Sequence, residues 1–270
     1  ERQPQVGLAE ARHRGQPVAT VFRNEWITAL GKRGASQALL QVWEPGIDSA
    51  ALRCARLEAQ RATGQAGTPA WNAEAQSLWR SSGSSLPEAC DPVFAELSLR
   101  NGLPPALRWE RIDKAIAELQ PGVIRAIARG LPADEAALAN TYAAYLDAPN
   151  GAVGSWPQTA RSRLVASHGL AKLARNAPDQ AEALLPGVAT ALGFGETERG
   201  RVLHPVALWT VASYGPESAR RLAAAPLSAY DERLHEWQAR EALSRSDWRA
   251  ALAAIRRMPQ AQREDSRWLY

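Results

Sequence analysis

Several residue types are scarce in this sequence, and each scarcity argues against a class of protein. Phenylalanine occurs three times and methionine once, and Ala, Leu, Arg, Glu and Gln outnumber the residues that favour strands. No run of 18 apolar residues is present, so no transmembrane segment is predicted. The first residues also lack the apolar core of a signal peptide. The sequence therefore predicts an all-α protein.

Motifs for metal or cofactor binding are also missing. The four histidines, His13, His168, His204 and His235, are far apart, and the sequence contains no HxxxH or CxxC pair. We expect His168 and His204 to be hydrogen-bonded within helices rather than to act as ligands or bases. The glycines of GFGETERG miss the GxGxxG spacing, and no P-loop or GxSxG motif occurs. We therefore predict no metal, no cofactor and no catalytic residue in this chain.

Lysine is rare, so nearly all positive charge is carried by arginine; the only lysines are Lys32, Lys114 and Lys172. The net charge is +4 and the pI is about 9.4. Arginine suits carboxylate or phosphate partners. However, 28 acidic residues are mixed through the same segments, as in the i,i+4 pair of Glu110 and Lys114. We interpret most of this charge as a solvated face, and the absence of a concentrated basic block predicts no nucleic-acid partner.

The apolar pattern is helical throughout. Trp109, Ile112 and Ile116 form one stripe at a period of 3.6, and Pro or Gly residues separate successive segments. Short helices of about 10 to 18 residues, joined by short turns and without a strict repeat, are typical of an α-solenoid, or superhelix, of antiparallel helix pairs. We predict a single domain over residues 1–270, with residues 147–157 as a long turn. Pro186 and Gly187 are predicted to kink or restart a helix.

Ten tryptophans fit a solenoid in which large side chains fill the gaps between helix pairs. Four lie on apolar stripes and are predicted to be in the core: Trp26, Trp109, Trp209 and Trp248. Trp156, in the predicted loop, and Trp268, near the end, are left open between a core position and a surface that stacks on a sugar or a base.

The only two cysteines, Cys54 and Cys90, both lie on apolar helix faces. A helix-turn-helix arrangement between them would allow a disulfide, but two cysteines are also common as free thiols in cytosolic proteins. The residues alone leave both states open.

The stretch around these cysteines resembles the soluble lytic murein transglycosylases, which are periplasmic enzymes that cut the glycan strands of peptidoglycan. The matching residues are Cys54, Gly64-Gln65, Leu78-Trp79, Pro87, Ala89, Cys90-Asp91 and Phe94. Weaker similarity extends over nearly the whole chain. The resemblance implies the α-superhelical domain of this family, a disulfide between Cys54 and Cys90, and a periplasmic location.

Compared with this family, the sequence lacks the motifs of the catalytic domain. The family keeps its catalytic glutamate in a lysozyme-like domain marked by a Glu-Ser motif and a Gly-Leu-Met-Gln motif. Neither motif is present, and the sole methionine, Met258, is in another context. The acidic pairs Asp134-Glu135 and Glu264-Asp265, and Glu196 with Glu198, lie in predicted helix starts or polar turns.

The resemblance therefore predicts a non-catalytic portion of an enzyme that acts on peptidoglycan glycan strands. The intact enzyme would form 1,6-anhydromuramic ends without using water, and proteins of the cell-wall machinery are possible partners. The alternative from the residues alone is a helical-repeat scaffold that binds a protein or peptide in a groove. The start at Glu1 rather than Met suggests an exported protein that has lost its signal, or a segment of a longer gene product.

Overall fold

The computed structural model describes residues 17–268. This part of the chain contains fifteen α-helices, three short 3-10 helices and no strand, which confirms the all-α prediction. The chain divides into two compact units, residues 1–114 and 115–270. The first six helices are α1 Pro17–Lys32, α2 Ser36–Val42, α3 Ala50–Ala62, α4 Pro69–Trp79, α5 Asp91–Leu99 and α6 Pro105–Ala117, with a 3-10 turn at Glu88–Cys90.

Nine further helices belong to the second unit. They are α7 Pro121–Ala128, α8 Ala133–Asp147, α9 Ala160–Ala174, α10 Pro178–Leu192, α11 Glu196–Ala212, α12 Ser218–Ala224, α13 Glu232–Ser244, α14 Trp248–Arg257 and α15 Gln260–Arg263. Two 3-10 turns lie among them, at Leu227–Ala229 and Ser266–Trp268.

Within each unit, a helix packs on the helices that are next and next but one in sequence. In the first unit, α3 contacts α1, α2, α4 and α5; in the second, α9 contacts α8, α10 and α11, and α11 contacts α13. This pattern of near-neighbour packing is that of an α-solenoid built from short helix pairs, which is the predicted fold class.

Each unit has its own apolar core. In the first, Ile27, Leu30, Leu39 and Leu52 join α1, α2 and α3. In the second, one cluster joins α11, α12 and α13, and another joins α13 to α14. Trp109, Ile112 and Ile116 of the predicted α6 stripe are all buried.

Two local predictions concern interruptions of the helical pattern. Of the two outcomes predicted at Pro186, a restart is not seen, since helix α10 continues through this residue to Leu192. The proline leaves the carbonyl of Glu182 without its usual helical donor, and packing of the helix on both neighbours outweighs that loss. The predicted turn at residues 147–157 is present, and it lies inside the second unit rather than at the boundary between the units.

The tryptophan predictions were right for Trp109, which is buried, and wrong for Trp209 and Trp248, which are 38% and 70% exposed. Trp26 is half-buried against the α1–α3 core. Smaller residues occupy the buried faces of these helices, Val206 and Val211 in α11 and Ala251 and Ala254 in α14.

The two tryptophans left open by the sequence are both packed. Trp156 is buried, with its ring edge-to-face against Tyr142 and Tyr145 at centroid distances of 5.0 Å each. Trp268 packs on the cluster of Ala239, Ala254 and Met258.

Candidate functional site

Cys54 and Cys90, the two residues that the sequence singled out, are joined by a disulfide with an S–S distance of 2.04 Å. Cys54 lies in the first half of α3, and Cys90 ends the 3-10 turn that leads into α5. Both side chains are fully buried. The bond therefore ties α3 to the start of α5 and closes the segment that contains α4.

The closed segment is further fixed by the two tryptophans of α4. The indole N–H of Trp71 donates to the carbonyl of Leu57 in α3 at 2.9 Å, and that of Trp79 donates to the carbonyl of Leu107 in α6 at 3.3 Å. Both tryptophans are buried. Between α3 and α4 the chain reverses at Gly64, whose φ of +81° is the left-handed conformation that glycine adopts easily. The residues that carry the family resemblance thus form one packed structure.

Two arginines of α6 complete this cluster, and sequence reasoning missed them. Arg108 and Arg111 are 8% and 6% exposed, although the charge pattern predicted a solvated face. The guanidinium of Arg111 lies 4.4 Å from the centre of the Trp79 ring and donates to the carbonyls of Ser82 and Ser84, each at 3.2 Å. Arg111 therefore holds the loop that follows α4, through a stacking contact and two backbone hydrogen bonds.

Arg108 forms hydrogen bonds to residues that precede α6. It donates to the carbonyl of Leu103 at 3.0 Å and to the hydroxyl of Ser98 at 2.9 Å. Burial lowers the pKa of this guanidinium. A charge pattern does not distinguish a stacked, buried arginine from an exposed one, and Trp79 comes close to Arg108 only through folding.

A second buried arginine centre lies in the other unit. Arg221 of α12 donates to Thr210 of α11 at 2.8 Å and to Glu182 of α10 at 2.9 Å, and it also forms an ion pair with Asp179. Hydrogen bonds from Arg220 and Arg221 lower the pKa of Glu182. This network joins three consecutive helices, and its geometry is structural rather than catalytic.

Three histidines lie in the described residues, while His13 lies outside them. His168 is half-buried in α9, and burial together with the charge of Arg201 lowers its pKa to about 4. Nε2 of His204 lies 3.1 Å from Oδ1 of Asp231, and burial lowers the pKa of His235. In residues 17–268, no three His, Cys, Asp or Glu side chains are grouped so that they could hold a metal ion.

The acidic residues considered for glycan cleavage are at helix starts and in a turn. Asp134 and Glu135 lie in the first turn of α8, and Glu196 and Glu198 in the first turn of α11. The carboxylate of Glu198 accepts a hydrogen bond from the Gly195 N–H at 2.9 Å. Such positions stabilise the charged carboxylate.

The carboxyls whose pKa is shifted, Glu182, Asp231 and Asp265, are all shifted downward. An acid that protonates a glycosidic oxygen needs the opposite shift. These three groups are therefore unsuited to that role.

Comparison with known proteins identifies relatives of this sequence. No family model matches the chain. The soluble lytic murein transglycosylase of Escherichia coli K12 is 26% identical in an alignment of 261 residues that covers 94% of this chain and 40% of the relative. The enzyme of the same name from Salmonella typhimurium is 25% identical over the same length, with the same coverage. The chain thus spans about two fifths of the length of these curated relatives.

Solved structures show the same fold. The 70 kDa soluble lytic transglycosylase in complex with bulgecin A matches with a TM-score of 0.81 at 22% identity, over 98% of this chain and 43% of that one. An inactive mutant of the lytic transglycosylase Slt from Pseudomonas aeruginosa matches with a TM-score of 0.68 at 24% identity, with the same coverage. This chain is therefore homologous to the soluble lytic murein transglycosylases and matches their helical domain.

Proposed function

We propose that this chain is the non-catalytic helical portion of a soluble lytic murein transglycosylase and serves that enzyme in its action on peptidoglycan glycan strands. The observation that carries the proposal is the extent of the match: 94% of the chain aligns with only 40% of the relative. The chemistry then belongs to a part of the parent protein that the chain does not include. The reaction of that parent would be cleavage between MurNAc and GlcNAc that leaves a 1,6-anhydromuramic end.

The side chains described above support a role other than catalysis. The candidate acids stabilise helix starts, and the carboxyls with shifted pKa values favour the charged form. The buried arginines bind carbonyls and carboxylates of neighbouring elements within the same unit. A helical frame fixed in this way is suited to holding a catalytic domain or a strand in position.

The disulfide supports a periplasmic location, because such bonds persist in oxidising compartments. Within residues 17–268, no helix is both long and apolar enough to cross a bilayer. The partners that fit this proposal are peptidoglycan glycan strands and proteins of the cell-wall machinery, and the proposed role requires no cofactor.

The test compares residues 1–270 with the full product of the gene on purified peptidoglycan sacculi. Anhydromuropeptides are measured by mass spectrometry. We expect them from the longer protein and none above background from residues 1–270. Release by residues 1–270 at the rate of the longer protein, abolished by substitution of an acidic residue in this segment, would show that the chemistry lies here. A longer protein that releases none would contradict the proposed family activity.

A further inference from the structure

A small cleft in the second unit combines aromatic and charged side chains. Its volume is about 240 Å³, and it is lined by the turn that follows α11 and by one face of α13. Tyr214 lies on the turn, while Trp237, Arg240, Glu241 and Ser244 lie at the helical spacing i, i+3, i+4 and i+7. Pockets for drug-sized ligands measure about 300–1,000 Å³, so this cleft is suited to a single ring.

Tyr214 is held in a strained backbone conformation at the end of α11. The N–H of Gly215 donates to the carbonyl of Thr210 at 3.0 Å, and the N–H of Tyr214 donates to that of Val211 at 3.0 Å. This is a Schellman motif with Tyr214 in its left-handed position, at a φ of +53°. The ring is 79% exposed, so burial of the side chain does not compensate for the strain.

Other helices place different residues at this position. Gly64 and Gly193 occupy it after α3 and α10, where the conformation has no steric cost. Leu119, Asn101 and Ser246 share the positive φ, but Leu119 is half-buried, and Asn101 and Ser246 are small polar residues. A large, exposed aromatic ring in this strained position points to a use for the ring outside the fold.

The ring of Tyr214 meets that of Trp237 at a centroid distance of 6.0 Å and an angle of 82°. Perpendicular rings form a corner, in which one ligand ring can contact both. Among the hydrogen bonds of the described residues, none involves the indole N–H of Trp237 or the hydroxyl of Tyr214. Both groups therefore remain available as donors to a polar ligand.

The charges around this corner are paired. Arg245 donates to Glu241 at 2.6 and 3.1 Å, and Arg240 donates to Glu236 at 2.6 Å. Arg240 also lies 5.8 Å from the centre of the Trp237 ring. Because each guanidinium already has a carboxylate, the cleft has little net charge to offer to a phosphate or carboxylate. Its pairs instead offer donors and acceptors to hydroxyl and amide groups.

From the strained ring, the aromatic corner and the paired charges, we infer that this cleft binds one pyranose ring of a neutral N-acetylated glycan, stacked on Tyr214 and Trp237. The inference rests on the proposed function, because the N-acetylated glycan strand is the ligand that function supplies. It adds a glycan contact in the second unit, remote in sequence from the disulfide and its arginine cluster.

Isothermal titration calorimetry with tetra-N-acetylchitotetraose, together with co-sedimentation with sacculi, tests the inference on residues 1–270. Tyr214→Gly removes the ring and relieves the positive φ, so we expect a raised unfolding midpoint together with binding weakened about fivefold or more. Tyr214→Phe keeps the stacking ring and removes only the hydroxyl donor, so it should weaken binding less than Tyr214→Gly. Trp237→Ala should also weaken binding, and circular dichroism checks its fold, because Trp237 packs on the core. Trp248→Ala, which removes a 70% exposed ring outside the cleft, is the matched control and should leave binding unchanged.

Each other outcome has a separate meaning. If Tyr214→Gly binds sacculi as well as the unmodified chain does, the cleft is not the glycan-binding site, and the proposed function stays intact. The same holds if Trp248→Ala loses as much binding as Tyr214→Gly. If the unmodified chain does not bind chitotetraose, the inference that the cleft binds a glycan ring is wrong. This holds even if a protein partner is found to bind at the cleft. Chitotetraose binding that is lost in Tyr214→Gly, in a chain whose longer form cleaves no peptidoglycan, would support the cleft and contradict the proposed function.

Discussion

Reduction of the disulfide between Cys54 and Cys90 is expected to lower the free energy of unfolding of the first unit. The cysteines are 36 residues apart in sequence, so the bond restricts a long segment of the unfolded chain. In the chain-entropy treatment a loop of this length is worth roughly 3–4 kcal/mol. That amount is a large share of the 5–15 kcal/mol that typically separates folded from unfolded domains, to order of magnitude.

Urea denaturation with and without a thiol reductant measures this difference. Tryptophan fluorescence is a suitable signal, because Trp71 and Trp79 are both buried near the bond. If the two units unfold in separate transitions, only the transition of the first should move. The double variant C54A/C90A serves as the control, since reductant cannot act on it.

Two results would refute the reasoning. One is a difference below about 1 kcal/mol between oxidised and reduced protein, which would mean that the unfolded chain is already restricted in this segment. The other is an equal response to reductant in C54A/C90A, which would place the effect elsewhere.

Three further perturbations have expected outcomes. Trp71→Phe should cost about 1–3 kcal/mol in urea denaturation, because the buried hydrogen bond from the indole to the Leu57 carbonyl is lost and the smaller ring leaves part of its volume unfilled. Arg221→Met should also cost about 1–3 kcal/mol. This is below the range for fully buried ion pairs, because Asp179 is exposed. Arg221→Lys should recover only part of the lost stability. The folded-state pKa of His168, about 4, lies below its ordinary value of about 6.5. The unfolded chain therefore binds this proton more tightly, and stability should fall as pH drops from 6.5 towards 4, by about 1–2 kcal/mol at pH 5; His168→Gln should lack that part of the loss.

The helical fold could be predicted from the sequence because apolar periodicity reports the face that each helix buries. The α6 stripe is an example, since Trp109, Ile112 and Ile116 are buried as their spacing indicates. Periodicity alone does not fix which of two adjacent faces of a helix its neighbours cover. In α14 the small residues Ala251 and Ala254 are buried, whereas Trp248 and Leu252 are exposed.

The site residues were harder to predict. The disulfide followed from the family resemblance rather than from the spacing of two cysteines. The buried positions of Arg108, Arg111 and Arg221 depend on carbonyls and carboxylates brought close by folding. Tyr214 was not predicted as a site residue, because the inference about it starts from its positive φ. The sequence shows only that a glycine follows it.

The packing of each helix on its next and next-but-one neighbours also affects how the protein folds. Contacts between segments close in sequence require little loop closure, and chains rich in such contacts fold faster than those that depend on distant pairings. In the first unit, α3, α4 and α5 complete their mutual contacts within one short stretch of chain. This stretch can therefore form its contacts before the rest of the chain folds. Cys54 and Cys90 would then be oxidised within a structure that already holds them together.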